Sequence, residues 1–172
     1  MVTRPLRFRA GKRQGAGSTP AGYSETTRPL SAILRASGDT DRFIVSSFDP
    51  LALLQFRRHA PEIKLGYLFH AEQALPLRRA WPACWLRSAA MHPDRQLVSE
   101  PAVARWHRRG YAVNVWTVDE PKDIRRLLDW GVDGIISDRP DVAAHVVRDW
   151  VVRRQSQVDS RKSTVVSHRR QS

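Results

Sequence analysis

Cysteine is nearly absent from this chain: Cys84 is the only one in 172 residues. That excludes an internal disulfide and any cysteine-rich zinc site. Cys84 is read as a small apolar residue in a reducing compartment, so a cytoplasmic location is expected. No run of 18 apolar residues occurs, which excludes a membrane-spanning helix. The first 23 residues, "MVTRPLRFRAGKRQGAGSTPAGY", contain no apolar stretch able to serve as a signal-peptide core. Their arginine-rich, acid-poor character resembles a transit peptide in composition only, and an unstructured leader is the simpler expectation.

Negative charge is scarce, and its distribution matters more than its amount. The formal net charge is +12. Residues 1–40 carry +5, residues 41–150 only +2, and residues 151–172 another +5. A dedicated nucleic-acid-binding domain places its basic stripe on the folded body, interleaved with polar or aromatic base readers. Here the excess lies at the two ends, in segments poor in large hydrophobic residues, so disorder is expected there. No specific nucleic-acid partner is expected, and weak, salt-sensitive polyanion binding through the ends remains as an alternative role.

What the chain does have is alternation. Residues 1–27 show no period and read as an irregular basic leader. Residues 28–38 place Leu30, Ile33 and Leu34 at helical spacing before a glycine stop. "RFIVSSF" (42–48) is a short apolar run of strand type. Asp49-Pro50 then opens a helix with Leu51, Leu54 and Phe56 as its apolar side. "IKLGYLF" (63–69) is strand again, 71–85 one irregular helix broken by prolines, and "RSAAMHP" (87–93) a strand ending at His92. Ser99 N-caps a helix with a Val103, Trp106 and His107 face and a Gly110 stop. "YAVNVWTV" (111–118) is strand, 120–131 helix, "VDGIISD" (132–138) strand and 139–154 the last helix. Residues 155–172 read as a solvated, disordered basic tail. The repeat of strand and helix from 28 to 154 predicts an α/β fold with four or five βα units on a parallel sheet. The strands show little in–out alternation, as expected when both faces are covered.

In such folds ligands meet the C-terminal ends of the strands. The residues at those ends are Ser46, Ser47 and Phe48; Tyr67 and Phe69; His92; Trp116 and Thr117; Ser137 and Asp138. Each has a structural alternative. The two serines suit a helix cap, Asp138 suits the N-cap of the last helix, and His92 suits a structural role. A buried indole needs a partner for its N–H, which favours a rim position for Trp116.

Three ordered segments carry a family resemblance: "RFIVSSFDPLALLQFRRHAPEIKLGYLF", then "HPDRQLVSEPAVARWHRRGYAVNVWTVDEP", then "GVDGIISDRP". Together they resemble the C-terminal half of the glycerophosphodiester phosphodiesterase family, across roughly residues 22 to 150. The family pattern reads "WTVN" and "GVDGIITDxP", so this sequence departs from it at Asp119 and Ser137. The resemblance implies a partial (β/α)8 barrel. It also implies an enzyme of lipid metabolism that hydrolyses glycerophosphodiesters to an alcohol and glycerol 3-phosphate with a bound Mg2+ or Ca2+. In the complete family enzyme, carboxylates hold the hard cation, which stabilises charge on the phosphate, and two histidines work as acid and base. Ser47, Phe48, His92 and Trp116 are then expected on the substrate side of the mouth.

The family's first-strand His-Arg pair, second-strand Glu-x-Asp and later Glu-x-Lys have no counterparts here. Before Ser46 the acids are Glu25, Asp39 and Asp41, and the first histidine is His59. His107 ends a helix and His168 lies in the tail, so neither replaces the missing histidine. No catalytic or metal-holding residue is therefore assigned, and the chain reads as a fragment of a longer barrel, which typically needs about 250 residues. Its lone activity is expected to be absent. An incomplete barrel also has open sheet edges, which favours self-association or a non-catalytic assembly role as the alternative.

Overall fold

The computed structural model describes residues 20–169, with side chains described over 26–157. The chain order is α1 (Pro20–Ala36), β1 (Ile44–Ser47), α2 (Pro50–His59), β2 (Lys64–Phe69), α3 (Leu75–Arg78), α4 (Pro82–Trp85), β3 (Ala90–Pro93), α5 (Glu100–Arg108), β4 (Ala112–Val115), α6 (Pro121–Asp129), β5 (Gly134–Ile135) and α7 (Pro140–Arg169). All strand pairs are parallel, and the sheet order is β1-β2-β3-β4-β5, the order of the sequence. Parallel neighbours in sequence order take right-handed crossovers as a rule, which places the connecting helices on one face, and α2, α5 and α6 accordingly share one core with the sheet. That is the layout of a barrel segment rather than a doubly wound sheet.

Each helix starts for a local reason. Asp49 accepts a hydrogen bond from the Leu51 amide at 2.8 Å, and Pro50 fits the first turn of α2. Pro101 and Pro121 do the same for α5 and α6. Gly110 and Gly131, at φ of 81° and 79°, end those two helices in the left-handed region. Ser99 stands at the N-cap of α5 with extended geometry, but its side chain makes no capping bond, contrary to the sequence expectation.

The core lies between sheet and helices. Leu65, Tyr67 and Phe69 of β2 and Val113 and Val115 of β4 point into it, meeting Leu53 and Phe56 of α2, Val103 and Trp106 of α5, and Ile124 and Leu127 of α6. Phe69 stacks on Tyr67 at 5.7 Å between centroids and meets the Trp106 ring edge-on at 5.8 Å. The period of two then assigns Gly66 and Leu68 to the opposite face, together with Ser46, His92, Asn114 and Gly134.

Several expectations from the sequence are corrected. The first helix begins at Pro20, ahead of Arg28, and carries Pro29 inside it. Its buried stripe is Thr27, Ser31 and Leu34, whereas Ile33 is exposed. Small hydroxyl residues permit close packing on α2, and Ser31 Oγ satisfies itself by donating to the Arg28 carbonyl at 2.8 Å. On α2 the buried pair is Leu53 and Phe56, with Leu51 in solvent. The 71–85 segment is two short helices, because Ala80 turns the backbone between them at φ 55°. Cys84 is exposed rather than packed. The last helix continues past Arg154 to Arg169, so the tail beyond 155 is helical over most of its length. Exposed helices need no apolar period when side chains cover one another, as Arg154 does over Trp150 at 4.9 Å. The leader over residues 1–19 lies outside the described residues.

Candidate active-site mouth

A polar ladder crosses the face of the sheet opposite the helices. His92, on β3 and 4% exposed, bridges two strands at once. Its Nδ1 lies 3.2 Å from Ser46 Oγ of β1, and its Nε2 lies 3.1 Å from Asn114 Nδ2 of β4. With the Asn114 amide donating to Nε2, the ring proton sits on Nδ1 and is given to Ser46. Burial lowers the His92 pKa to about 4, so the ring is neutral at pH 7. Both nitrogens are occupied and the lone pair is already spent on Asn114. In this arrangement His92 orders the sheet face and is not poised to move a proton.

Glycines make room for this ladder. A Cβ at Gly66 would stand 2.6 Å from His92 Nε2 and 2.8 Å from Ser46 Oγ. A Cβ at Gly134 would collide with Asn114 Oδ1. Ser46, Gly66, His92, Asn114 and Gly134 therefore form one fitted set across all five strands.

Above the ladder, toward the C-terminal ends of the strands, lies an aromatic rim. Phe48 meets Trp116 edge-on at 5.3 Å and His70 edge-on at 5.5 Å. The Trp116 indole N–H donates to the His92 carbonyl at 2.7 Å, which fixes the ring beside the sheet. Phe48 remains 41% exposed, so this rim is an open apolar wall. Its three rings come directly after the ends of three strands, β1, β2 and β4.

The next connection is closed by a carboxylate. Asp119 Oδ1 accepts from Ser137 Oγ at 2.6 Å and from the Asp138 amide at 2.8 Å. The Ser137 hydroxyl accepts in turn from the Arg139 amide at 3.0 Å. The Ser137 bond, with help from the nearby amides and Arg139, holds the Asp119 carboxyl below its ordinary range. Asp119 and Ser137 are the two places where the sequence leaves the family pattern, and they are each other's partner.

Of the strand-end residues singled out from the sequence, Phe48, His92 and Trp116 come together. Ser47 does not join them directly: its oxygen accepts from the Asp49 amide at 3.0 Å and shapes the turn into α2. Tyr67 and Phe69 face the helices and are fully buried, so they are removed from the mouth. Thr117 lines a small open cleft with Arg95, Val118, Asp119, Glu120 and Asp123. His70, Asn114 and the two glycines were missed. Counting alternate residues back from Phe48 and His70 reaches Ser46 and Gly66, but the cross-strand fit of Asn114 needs the register. His107 is engaged elsewhere, 2.8 Å from Asp133, which also accepts from the Val113 amide.

Residues 18–142 match the model of the glycerophosphoryl diester phosphodiesterase family. The chain belongs to that family. A glycerophosphodiester phosphodiesterase of Caldanaerobacter subterraneus subsp. tengcongensis is 31% identical over 108 residues, covering 63% of this chain and 43% of that protein. The corresponding Bacillus subtilis enzyme is 26% identical over 100 residues, covering 58% and 34%. Among solved structures, a Silicibacter pomeroyi protein assigned as a glycerophosphoryl diester phosphodiesterase superposes with a TM-score of 0.69 at 29% identity, over 80% of this chain and 48% of that one. An Oleispira antarctica phosphodiesterase, solved with the product sn-glycerol-3-phosphate, superposes with a TM-score of 0.62 at 20% identity, over 76% and 52%. This chain thus spans about half the length of the relatives it matches, and its five βα strands are a segment of their barrel.

The divalent cation implied by the family finds no donor set among the described residues. Among the described residues no three His, Cys, Asp or Glu side chains converge. Two of the acids lining the cleft beside Thr117 are engaged by neighbouring side chains. Asp119 serves Ser137, and Asp123 lies 3.0 Å from Arg126 and 3.8 Å from Arg95.

Proposed function

We propose that this chain supplies the substrate-facing wall of a glycerophosphodiester phosphodiesterase and does not hydrolyse substrate by itself. The observation that carries the proposal is the Phe48–Trp116 pair at the strand ends, an apolar wall, while no group of three His, Cys, Asp or Glu side chains able to hold a metal occurs among the described residues. In this reading Phe48 and Trp116 pack against the glycerol or alcohol carbons, and His92 holds Trp116 in place through its carbonyl. Ser47 approaches the phosphate from the turn that follows β1. The Mg2+ or Ca2+ and the acid–base histidines belong to the remainder of a complete barrel. The test is hydrolysis of glycerophosphocholine by the purified chain with Mg2+ or Ca2+ added. No turnover above background is expected, and rates on the order of 1–1000 per second would overturn the proposal.

A second role has its own support. β1 pairs only with β2, and β5 only with β4, among the described residues. Two unpaired parallel edges favour association with another copy or with a longer homologue. That role is assembly rather than chemistry.

A further inference from the structure

We propose that the α3–α4 segment is a docking surface for an anionic phospholipid bilayer, distinct from the mouth and independent of the hydrolase reading. The six tryptophans divide sharply by how they are accommodated. Trp106 is buried against Phe69, and Trp116 donates its N–H to His92. Trp130 lies under the Arg126 guanidinium at 5.3 Å. Trp150 lies under Arg154 and donates to Asp129 at 2.8 Å. Trp81 and Trp85 differ from all of these. They are 59% and 60% exposed, and neither has a ring contact or N–H partner among the described residues.

The two indoles share one side of α4, because Pro82, Ala83 and Leu86 take the buried side. Leu75 of α3 adds a third exposed apolar side chain. Left-handed turns fix this geometry, at Ala80 with φ 55° before α4 and at Arg87 with φ 46° after it. Such backbone strain at non-glycine residues is retained when it positions something. The segment 75–87 carries Arg78, Arg79 and Arg87 and no acidic residue. The Arg78 and Arg87 positions are pinned by backbone bonds, Arg78 Nη1 to the Ala71 carbonyl and the Arg87 carbonyl to Arg57.

Paired indoles with an apolar neighbour and three arginines in the same acid-free segment are the chemistry of the membrane interface. Tryptophan prefers the headgroup level, where its N–H meets water and its ring meets acyl chains. Each nearby arginine adds attraction to anionic headgroups. No helix of the described residues is long and apolar enough to cross a membrane, so the contact is a surface one. The charge pattern favours lipid over a protein partner, which would need acidic complements that a bilayer supplies in bulk.

The test is co-sedimentation of the full chain with vesicles of phosphatidylcholine alone and of phosphatidylcholine mixed with phosphatidylglycerol. A Trp81→Ser/Trp85→Ser variant separates this patch from attraction by the basic ends. Both positions are exposed, and circular dichroism checks that the variant folds. The wild-type chain is expected to bind the mixed vesicles and the variant to bind roughly tenfold more weakly. An environment-sensitive fluorophore on Cys84, the exposed single cysteine between the two indoles, is expected to shift to the blue on the same vesicles. Equal binding by wild type and variant, or a fluorophore that stays in water, overturns the proposal. So does a shift that needs no lipid and rises with protein concentration, because the patch is then a contact between copies.

Discussion

His92 shows how one buried side chain can set the pH response of a fold. Its pKa falls to about 4 in the folded chain because burial penalises the imidazolium, against about 6.5 when unfolded. Between these values the unfolded state binds more protons than the folded one, so stability rises with pH. The contribution is complete above about pH 6.5 and is lost as the pH falls toward 4, on the order of 3 kcal/mol in all. Urea unfolding across that range is expected to show this slope, and His92→Gln, which cannot titrate, is expected to flatten it. An unchanged slope in the variant would transfer the effect to other groups. The sequence placed His92 at a strand end and offered both a structural and a ligand role. In the folded chain its two ring nitrogens are filled by Ser46 and Asn114, from strands 46 residues upstream and 22 downstream. A linear pattern carries no information about partners at such separations until the register is known.

At the scale of elements, the strands and the helices α2, α5 and α6 were legible because proline, glycine and apolar runs punctuate them. The errors came where exposed residues set the boundary. α7 extends past Arg154 without an apolar stripe, and α1 buries threonine and serine instead of Ile33. The connections after β4 and β5 were recognised by motif, yet their linkage was not. Asp119 holds Ser137 and the Asp138 amide together, joining the turn before α6 to the turn before α7. Asp119→Ala removes a charged acceptor and leaves two donors without it, and is expected to destabilise by about 2 kcal/mol in chemical unfolding. Asp119→Asn restores an acceptor of the same shape, the residue in the family pattern, and is expected to recover most of that loss. If asparagine were as harmful as alanine, charge rather than hydrogen bonding would be the binding element.

For the molecule as a whole, the sequence conveyed family and sheet type, since these depend on motif order and on the repeat of strand and helix. It did not convey that the helix-free face of the sheet is already organised, with polar and aromatic residues interlocked across five strands. That face and the two single-partner edges predict concentration-dependent association. Multi-angle light scattering is expected to report masses above that of one 19.6 kDa chain as concentration rises. A monodisperse monomer throughout would leave the assembly role without support.

The neighbour-to-neighbour strand order has a consequence for how such a protein can grow. No strand inserts between two others, so a βα unit joined at either flank pairs at once, without any existing loop being rethreaded. Tandem fusion or splicing of further units is thereby geometrically permitted at β1 and at β5, and each graft needs to match only the one strand it lies beside.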